Sequence, residues 1–258
     1  TTIDVPSCWE LKGFGSYNYG LDKDSLRLHE TGLYKYHFKL PKDFKGKVVR
    51  IVFDGSMTDT DVKINGKSAG PTHQGAFYQF KYDISNLLHY GSDNLLEVSV
   101  KKNSTNPSVN GAERKGDFWI FGGIFRPVYL EILPVVHMDN IAINALANGH
   151  FEANLELLEN KNPISNIKGL QLKVTLLDDQ GKPLGNPVLS NLDNPEIREN
   201  GLAQIQANFN HPRLWSPEYP NLYHVYFQLI KNGEIIHDVK KTLGFRTIEI
   251  KPRDGSYV

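Results

Sequence analysis

Short segments in which apolar and polar residues alternate recur along nearly the whole chain, and this pattern constrains the fold more than any other feature. Residues 33–40, 48–53 and 95–100 are typical examples, separated by turn-forming residues. Alternation with a period of two places the apolar side chains on one face of a β-strand, where they pack against a core. Such segments begin about every ten residues, and helical periodicity is scarce. The sequence therefore predicts an all-β protein built as a β-sandwich or jelly roll.

Turn residues mark the ends of the predicted strands and divide them into two groups. Asn65-Gly66 follows residues 62–64 and is a strong hairpin signal. The pattern pauses at Pro134 and restarts, with six or seven further strands over residues 136–250, which is typical of an immunoglobulin-like sandwich. Residues 101–116 are polar and lack periodicity, so we predict a loop there.

Charge and cysteine content exclude several classes of function. The 258 residues include 29 Lys and Arg and 29 Asp and Glu, so the net formal charge is zero. Surfaces that bind nucleic acids or anionic membranes usually carry a basic excess, so neither partner is expected. Cys8 is the only cysteine, which excludes an intramolecular disulfide and a thiolate metal cluster. No apolar segment reaches the length of about 18 residues that a transmembrane helix needs.

One segment combines an acidic residue, several aromatic residues and a Gly-Gly pair. It runs from Asp117 to Arg126 and reads Asp-Phe-Trp-Ile-Phe-Gly-Gly-Ile-Phe-Arg. Gly122 and Gly123 can take positive φ or admit a close backbone, so we predict a turn between two strands. Asp117 and Arg126 either form a structural ion pair or cap near that turn, or Asp117 faces a ligand. The residues alone leave both interpretations open.

Several motifs, in order along the chain, resemble those of one enzyme family. They are Val5-Pro-Ser-Cys-Trp9, Phe53-Asp-Gly55, Asn65-Gly-Lys67 with Gly70, Phe80-Lys-Tyr-Asp-Ile84, Gly122-Gly-Ile-Phe-Arg126, Pro212-Arg-Leu-Trp-Ser-Pro-Glu218 with Pro220-Asn-Leu-Tyr223, and Gly244-Phe-Arg246. On these motifs the chain resembles the N-terminal part of glycoside hydrolase family 2, the family of the bacterial β-galactosidases and β-glucuronidases. The resemblance implies a galactose-binding-like jelly-roll β-sandwich over residues 1–135 and an immunoglobulin-like β-sandwich over residues 136–250.

The resemblance also implies a function that this chain does not perform alone. Family 2 enzymes are retaining exo-β-glycosidases whose two catalytic glutamates lie in a (β/α)8 barrel, with the carboxyl groups about 5–5.5 Å apart. Residues 251–258 would begin the linker into that barrel, and no Asn-Glu motif of the catalytic kind is present. We therefore assign no catalytic residue and expect an inactive, non-catalytic part of the enzyme, a β-galactosidase being preferred. The expected partners are its own C-terminal barrel, a β-linked glycoside and further copies of itself.

The start of the chain departs from the family pattern. Relatives carry a further strand before the Val-Pro-Ser-Cys-Trp motif, whereas this chain lacks an initiating Met and begins almost at that motif. We therefore expect a processed or excised fragment whose jelly roll has an unpaired edge. Its first residues do not resemble a signal peptide, and the compartment stays open between the bacterial cytoplasm and periplasm.

The resemblance implies two substrate-contacting residues. In related β-galactosidases, the Asp of an Asp-x-Trp before Gly-Ile-Phe-Arg reaches the active site, contacts the sugar and helps to hold a sodium ion. That position matches Asp117, with Trp119 two residues later, and carboxylates suit both hydroxyl groups and hard cations. Asn18 resembles a second sugar contact on an early loop, with a local turn bond as the alternative. No cofactor is expected in this chain, but Na⁺ or Mg²⁺ is expected in the full-length enzyme.

Two other classes of function remain open. The loop of residues 13–20 is rich in Gly and Tyr, and a tyrosine ring suits stacking on a sugar as well as ordinary packing. The first alternative is therefore a stand-alone carbohydrate-binding module that binds glycans through Tyr17 and Tyr19. The second is a structural or interaction protein with a degenerate sugar site, which the zero net charge and the missing strand favour.

Overall fold

The computed structural model describes residues 1–21, 29–193 and 200–250, together with the backbone of residues 252–253 and 256–257. The chain divides into two compact units, Thr1–Ile132 and Leu133–Val258. Nearly all the regular structure in the described residues is β-strand, so the all-β prediction is confirmed. No helix among these residues combines the length and apolar character needed to cross a membrane.

The described residues of the first unit form nine strands, one α-helix and several 3-10 turns. Its elements are β1 (Asn18–Tyr19), β2 (Thr31–Lys39), β3 (Val48–Phe53), β4 (Asp59–Ile64), β5 (Lys67–Ser68), β6 (Phe80–Asp83), β7 (Asp93–Lys101), α1 (Pro107–Glu113), β8 (Trp119–Ile120) and β9 (Val128–Leu133), with 3-10 turns at Glu10–Lys12, Lys42–Phe44 and Ser85–Leu87. One sheet has the order β2-β7-β4-β5 and another the order β6-β3-β9, while β1 and β8 form a separate two-stranded ribbon. The pairs β1–β8, β2–β7, β3–β6, β4–β5 and β4–β7 are antiparallel.

The core of the first unit lies between its two larger sheets. Every residue of β3 is buried, so both faces of this central strand are covered. The inward-facing side chains form one cluster that includes Ile51, Phe53, Ile64 and Val98. Burying such side chains stabilises the fold by about 1.5–3 kcal/mol each.

Local sequence signals explain two connections in this unit. The hairpin turn was predicted above, whereas the helix in the other connection was not. Asn65 and Gly66 have φ values of +53° and +78°, which is the left-handed conformation that the predicted hairpin turn between β4 and β5 requires. The predicted loop at residues 101–116 is wrong in part, because it contains α1. The side chain of Asn106 accepts a hydrogen bond from the Ser108 N–H at 3.0 Å, and Pro107 begins the helix, so a cap and a pre-set φ favour a helix there.

An apolar groove runs between the two larger sheets of this unit. Among the described strands, β2 pairs only with β7, and β9 pairs only with β3, so both leave one edge without a partner. The groove has a volume of about 660 Å³ and is lined by both strands, by the core beneath them and by residues 1–5. β2 and β9 are thus edge strands among the described residues, and the unpaired edge that a missing strand would leave stays a prediction.

The second unit is a sandwich of two four-stranded antiparallel sheets. Its strands are β10 (Val136–Ala145), β11 (His150–Glu159), β12 (Asn162–Pro163), β13 (Leu170–Asp178), β14 (Val188–Asn191), β15 (Leu202–Asn208), β16 (Tyr223–Lys231) and β17 (Glu234–Leu243), with β18 (Pro252–Arg253) and β19 (Ser256–Tyr257) forming a small hairpin after them. The sheet of β10, β11, β12 and β15 provides one layer, and the order β14-β13-β16-β17 provides the other. Burial alternates along β13 and β16, as expected for strands with one face on a shared core.

Candidate functional site

The two predicted substrate-contacting residues lie on the ribbon formed by β1 and β8. Asn18 is opposite Ile120 and Tyr19 is opposite Trp119, and Asp117 lies two residues before Trp119. Chain segments about 100 residues apart therefore meet here. The Tyr19 hydroxyl donates a hydrogen bond to the carboxylate of Asp117, so each strand contributes one partner to this contact.

The carboxylate of Asp117 is exposed and does not pair with Arg126. The Arg126 guanidinium donates hydrogen bonds to the carbonyl oxygens of Asp54 at 3.3 Å and Phe77 at 3.0 Å. It also lies over the Phe125 ring, 5.1 Å from the centroid. The ion-pair interpretation of Asp117 and Arg126 is therefore wrong, and the carboxylate is available to an external hydrogen-bond donor.

The predicted turn at Gly122 and Gly123 does not join a hairpin. The strand before it, β8, pairs with β1, whereas the strand after it, β9, pairs with β3. Gly123 exchanges hydrogen bonds with Met57, at 2.9 Å and 3.2 Å, and has φ of +118°. The Gly-Gly pair is thus a crossing between sheets, where the absence of side chains allows close backbone approach.

Alternation along β1 and β8 places aromatic rings on the outer face of the ribbon. Tyr17 and Trp119 are 52% and 55% exposed, and their ring centroids are 6.2 Å apart in an edge-to-face arrangement. Tyr17 also meets Phe121 at 6.1 Å, and Tyr19 meets Trp119 at 5.4 Å. We call Tyr17, Tyr19, Trp119 and Phe121 the aromatic face. Trp119 and Phe121 were not singled out as its members above, although their spacing of two residues was the available signal.

Asn18 lies on the inner face of the ribbon. It is only 3% exposed, and its carboxamide oxygen has no hydrogen-bond partner in the described part of the chain. A buried amide oxygen without a donor is costly, by about 1–3 kcal/mol. The alternative of a turn bond from this oxygen is therefore not supported, and the oxygen is an unused acceptor directly behind the aromatic face.

A buried ionic network lies beneath the ribbon. Lys102 is fully buried, Glu10 is 3% exposed, and the distance from Lys102 Nζ to Glu10 Oε1 is 2.5 Å. The same ammonium donates to the Ser16 carbonyl oxygen at 2.6 Å and lies 3.3 Å from Glu30 Oε2. Both oxygens of Glu10 are 3.1 Å from the Gly122 nitrogen, which donates to them. We call Glu10, Glu30 and Lys102 the buried cluster.

Sequence reasoning did not identify the buried cluster, although one signal was present. Residues 98, 100 and 102 share one face of an extended strand, and Val98 and Val100 are core residues. Lys102 therefore points inward, where a lysine requires an anionic partner because of its desolvation cost. Its partner Glu10 lies 92 residues earlier, and no local pattern connects them.

Two further residues close the base of the site. Arg114 is 5% exposed and donates a hydrogen bond to the Phe121 carbonyl oxygen. Burial lowers the pKa of Arg114 to about 10, although the nearby Glu10 carboxylate opposes this shift. Gly122 lies against the ring of buried Trp9, where an added Cβ would come within 2.1 Å of a ring carbon. Only glycine fits this position without displacing the ring.

Sequence comparisons identify the family of this chain. Residues 1–134 match the profile described as glycosyl hydrolases family 2, sugar binding domain, and residues 136–246 match the profile described as glycosyl hydrolases family 2. The chain belongs to glycosyl hydrolases family 2. The predicted family and the predicted succession of β-sandwich folds are thereby confirmed.

Individual family 2 proteins are similar to this chain over most of its length. It is 30% identical to a β-galactosidase of Thermoanaerobacter pseudethanolicus, with 87% of this chain and 29% of the relative covered. It is 26% identical to a β-glucuronidase of Formosa agariphila, with 100% and 28% covered. A β-glucuronidase structure from Bacteroides uniformis shares the fold, with a TM-score of 0.72 and 24% identity over 95% of this chain and 29% of that one. The chain spans less than a third of the length of these relatives.

Proposed function

We propose that this chain forms the non-catalytic N-terminal part of a retaining exo-β-glycosidase, a β-galactosidase in preference to a β-glucuronidase. Membership of glycosyl hydrolases family 2 supports the reaction class. The observation that carries the proposal is the exposed Asp117 carboxylate, which the Tyr19 hydroxyl orients beside the aromatic face. In this proposal the enzyme's two catalytic carboxyl groups belong to a C-terminal (β/α)8 barrel, which is the partner of this chain. Copies of the whole enzyme form the proposed homo-oligomer.

The chemistry around Asp117 suits recognition of a sugar. An ionised carboxylate accepts hydrogen bonds from two hydroxyl groups, and hydrogen bonds to a charged group contribute about 1.5–3 kcal/mol. The exposed rings of Tyr17 and Trp119 offer apolar faces for the C–H side of a pyranose. Asn18 is the second proposed sugar contact, and its support is a carboxamide oxygen that has no donor among the described residues.

A bound cation is a further part of this proposal. The residues described here would supply few of its ligands. A hard cation such as Mg²⁺ takes about six oxygen ligands. Among the residues that the structure describes, no three His, Cys, Asp or Glu side chains converge on one point. Asp117 would therefore provide one ligand to Na⁺ or Mg²⁺, and the remaining ligands would come from outside these residues. Within this chain, the task of Asp117 is to orient sugar hydroxyl groups.

The test compares hydrolysis of a panel of aryl β-glycosides by this chain and by the longest product of its gene. We expect only the longer protein to cleave, with the β-galactoside preferred. In that protein, Asp117→Asn should lower kcat/KM by about 10- to 150-fold, because one charged hydrogen bond to the sugar is lost. Asp61→Asn is the matched control, since Asp61 also accepts a hydroxyl hydrogen bond, from Thr72 at 2.5 Å. An Asp117→Asn enzyme within twofold of the wild type would contradict the assignment.

The exposed aromatic face favours a second candidate, a stand-alone carbohydrate-binding module. Its test is a calorimetric titration of this chain with methyl β-galactoside, together with Trp119→Ala. Saturable binding that Trp119→Ala abolishes, combined with no hydrolysis by the longest gene product, would favour the binding module. Hydrolysis by that product would favour the glycosidase.

A further inference from the structure

The ribbon that carries the candidate site is too short to hold itself in place. Strands β1 and β8 have two residues each, and an isolated two-stranded ribbon is marginally stable even when it is longer. A substrate contact must nevertheless be held closely, because a displacement of about 1 Å can reduce catalysis by about 100-fold. Groups beneath the ribbon must therefore hold the Asp117 side chain in position.

The buried cluster contacts the segments adjoining both strands. On the β1 side, Lys102 Nζ donates to the carbonyl oxygen of Ser16 at 2.6 Å, two residues before β1 begins. On the β8 side, the Glu10 carboxylate accepts the N–H of Gly122, two residues after β8 ends. The ion pair between Lys102 and Glu10 at 2.5 Å joins these two contacts, so one pair of side chains links both strands from below.

The cluster is itself anchored to the larger sheet. Lys102 directly follows β7, its N–H donates to the Glu30 carbonyl oxygen at 2.9 Å, and its carbonyl oxygen accepts from the Thr58 hydroxyl at 3.0 Å. Lys102 faces the carboxylates of Glu10 and Glu30, and the charged groups near Arg114 include Glu10 and Glu113. The Lys102 side chain therefore connects the larger sheet to the ribbon.

We propose that Lys102 and Glu10 are positioning residues that hold the β1–β8 ribbon so that Asp117 and the aromatic face meet the substrate in one orientation. This inference rests on the proposed role of Asp117 as a sugar contact. Space filling alone would not require this arrangement, since the hydrogen bonds to Ser16 and Gly122 are directional and end on the two segments that must be aligned. Neither residue touches the sugar in this proposal.

Two variants separate positioning from simple stability. Lys102→Met leaves the Glu10 charge buried without its partner, which is strongly destabilising. The double variant Glu10→Leu with Lys102→Met replaces the pair by apolar side chains, an exchange that is often neutral for stability. Lys35→Met is the matched control, because Lys35 forms an exposed ion pair with Glu97 at 3.1 Å.

The first measurement is amide hydrogen exchange in the 258-residue chain. The reporter is the Gly20 N–H, which donates to the Phe118 carbonyl oxygen at 2.8 Å across the ribbon and touches neither substituted residue. The Ala69 N–H, bonded to the Val62 carbonyl oxygen at 2.9 Å, reports on the sandwich. We expect the double variant to exchange at Gly20 at least about tenfold faster, with exchange at Ala69 changed much less, because the lost partners are those of Ser16 and Gly122 beside the ribbon. Lys35→Met should change neither amide.

The second measurement is kcat/KM in the longest gene product. We expect a loss of about 10- to 100-fold in the double variant, with no loss in Lys35→Met. A double variant with native exchange at Gly20 and native kcat/KM would overturn the inference, even if Lys102→Met alone fails to fold. If the longest product cleaves no glycoside, the proposed function fails instead, and Gly20 exchange still shows whether the cluster holds the ribbon.

Discussion

The two units of this chain bury different kinds of side chain. Among the residues that the structure describes, twelve polar or charged residues are buried, and eleven of them lie in the first unit, His137 being the exception. The core of the second unit is formed by aliphatic and aromatic side chains such as Leu172, Phe151 and Phe227. Apolar burial is non-directional and gives stability, whereas buried hydrogen-bonded groups fix orientation. The first unit therefore contains most of the buried groups that fix orientation, whereas the second relies mainly on apolar packing.

The largest expected effect tests the apolar half of this contrast. Phe227 on β16 is fully buried and stacks with Phe151 of the opposing sheet at 6.5 Å. Phe227→Ala should lower the free energy of unfolding of the second unit by about 3–5 kcal/mol, because it removes a large side chain and leaves a cavity. Residue-resolved hydrogen exchange in urea would show faster exchange in β16 and unchanged exchange in β7.

A matched control for this substitution lies on the neighbouring strand. Ile235 on β17 is 53% exposed, and Ile235→Ala should change stability by no more than about 0.5 kcal/mol. Equal loss of protection in β7 and β16 after Phe227→Ala would remove the distinction between the two units.

A smaller effect should follow from disturbing the site in the first unit. Gly122→Ala places a Cβ within 2.1 Å of the Trp9 ring, and overpacking of this kind costs about 1–3 kcal/mol. It should also shift the N–H that binds Glu10, so thermal unfolding and the Trp fluorescence spectrum should both change.

Gly111→Ala is the matched control for Gly122→Ala. Gly111 lies in α1, with no atom within 4 Å of an added Cβ, so this exchange should stabilise by about 0.5–1 kcal/mol. If both substitutions had the same sign, the close approach of Trp9 would not explain Gly122.

The same contrast explains how far sequence analysis reached. Alternation predicts β13 and β16 of the second unit well, because their burial depends on the local period of two. The candidate site depends on pairing between distant segments, such as β1 with β8 and Glu10 with Lys102. A local pattern does not contain that information. The family motifs located Asp117, but the aromatic face and the buried cluster required the three-dimensional arrangement.

The smallest expected effect concerns pH and a polar contact between two strands of the second unit. His237 Nδ1 accepts the N–H of Met138 at 3.0 Å, and its ring lies 6.2 Å from that of His137. Burial, and then the neighbouring His137, lower the pKa of His237 below its usual value of 6.5. The unfolded chain therefore binds a proton at higher pH than the folded chain. Stability is fully present above about pH 6.5 and is lost as the pH falls through the folded pKa.

Replacing His237 by Asn should reduce this loss, because an amide oxygen can still accept the Met138 N–H but does not titrate. The measurement is the stability of the second unit between pH 7.5 and 5, followed by amide hydrogen exchange in β17. His73 in the first unit also has a pKa lowered by burial, so His73→Asn is the matched control and should leave the pH dependence of β17 unchanged. An identical pH dependence in the wild type and His237→Asn would mean that the contact with Met138 survives protonation, and that the second unit tolerates a buried charge as the first unit does.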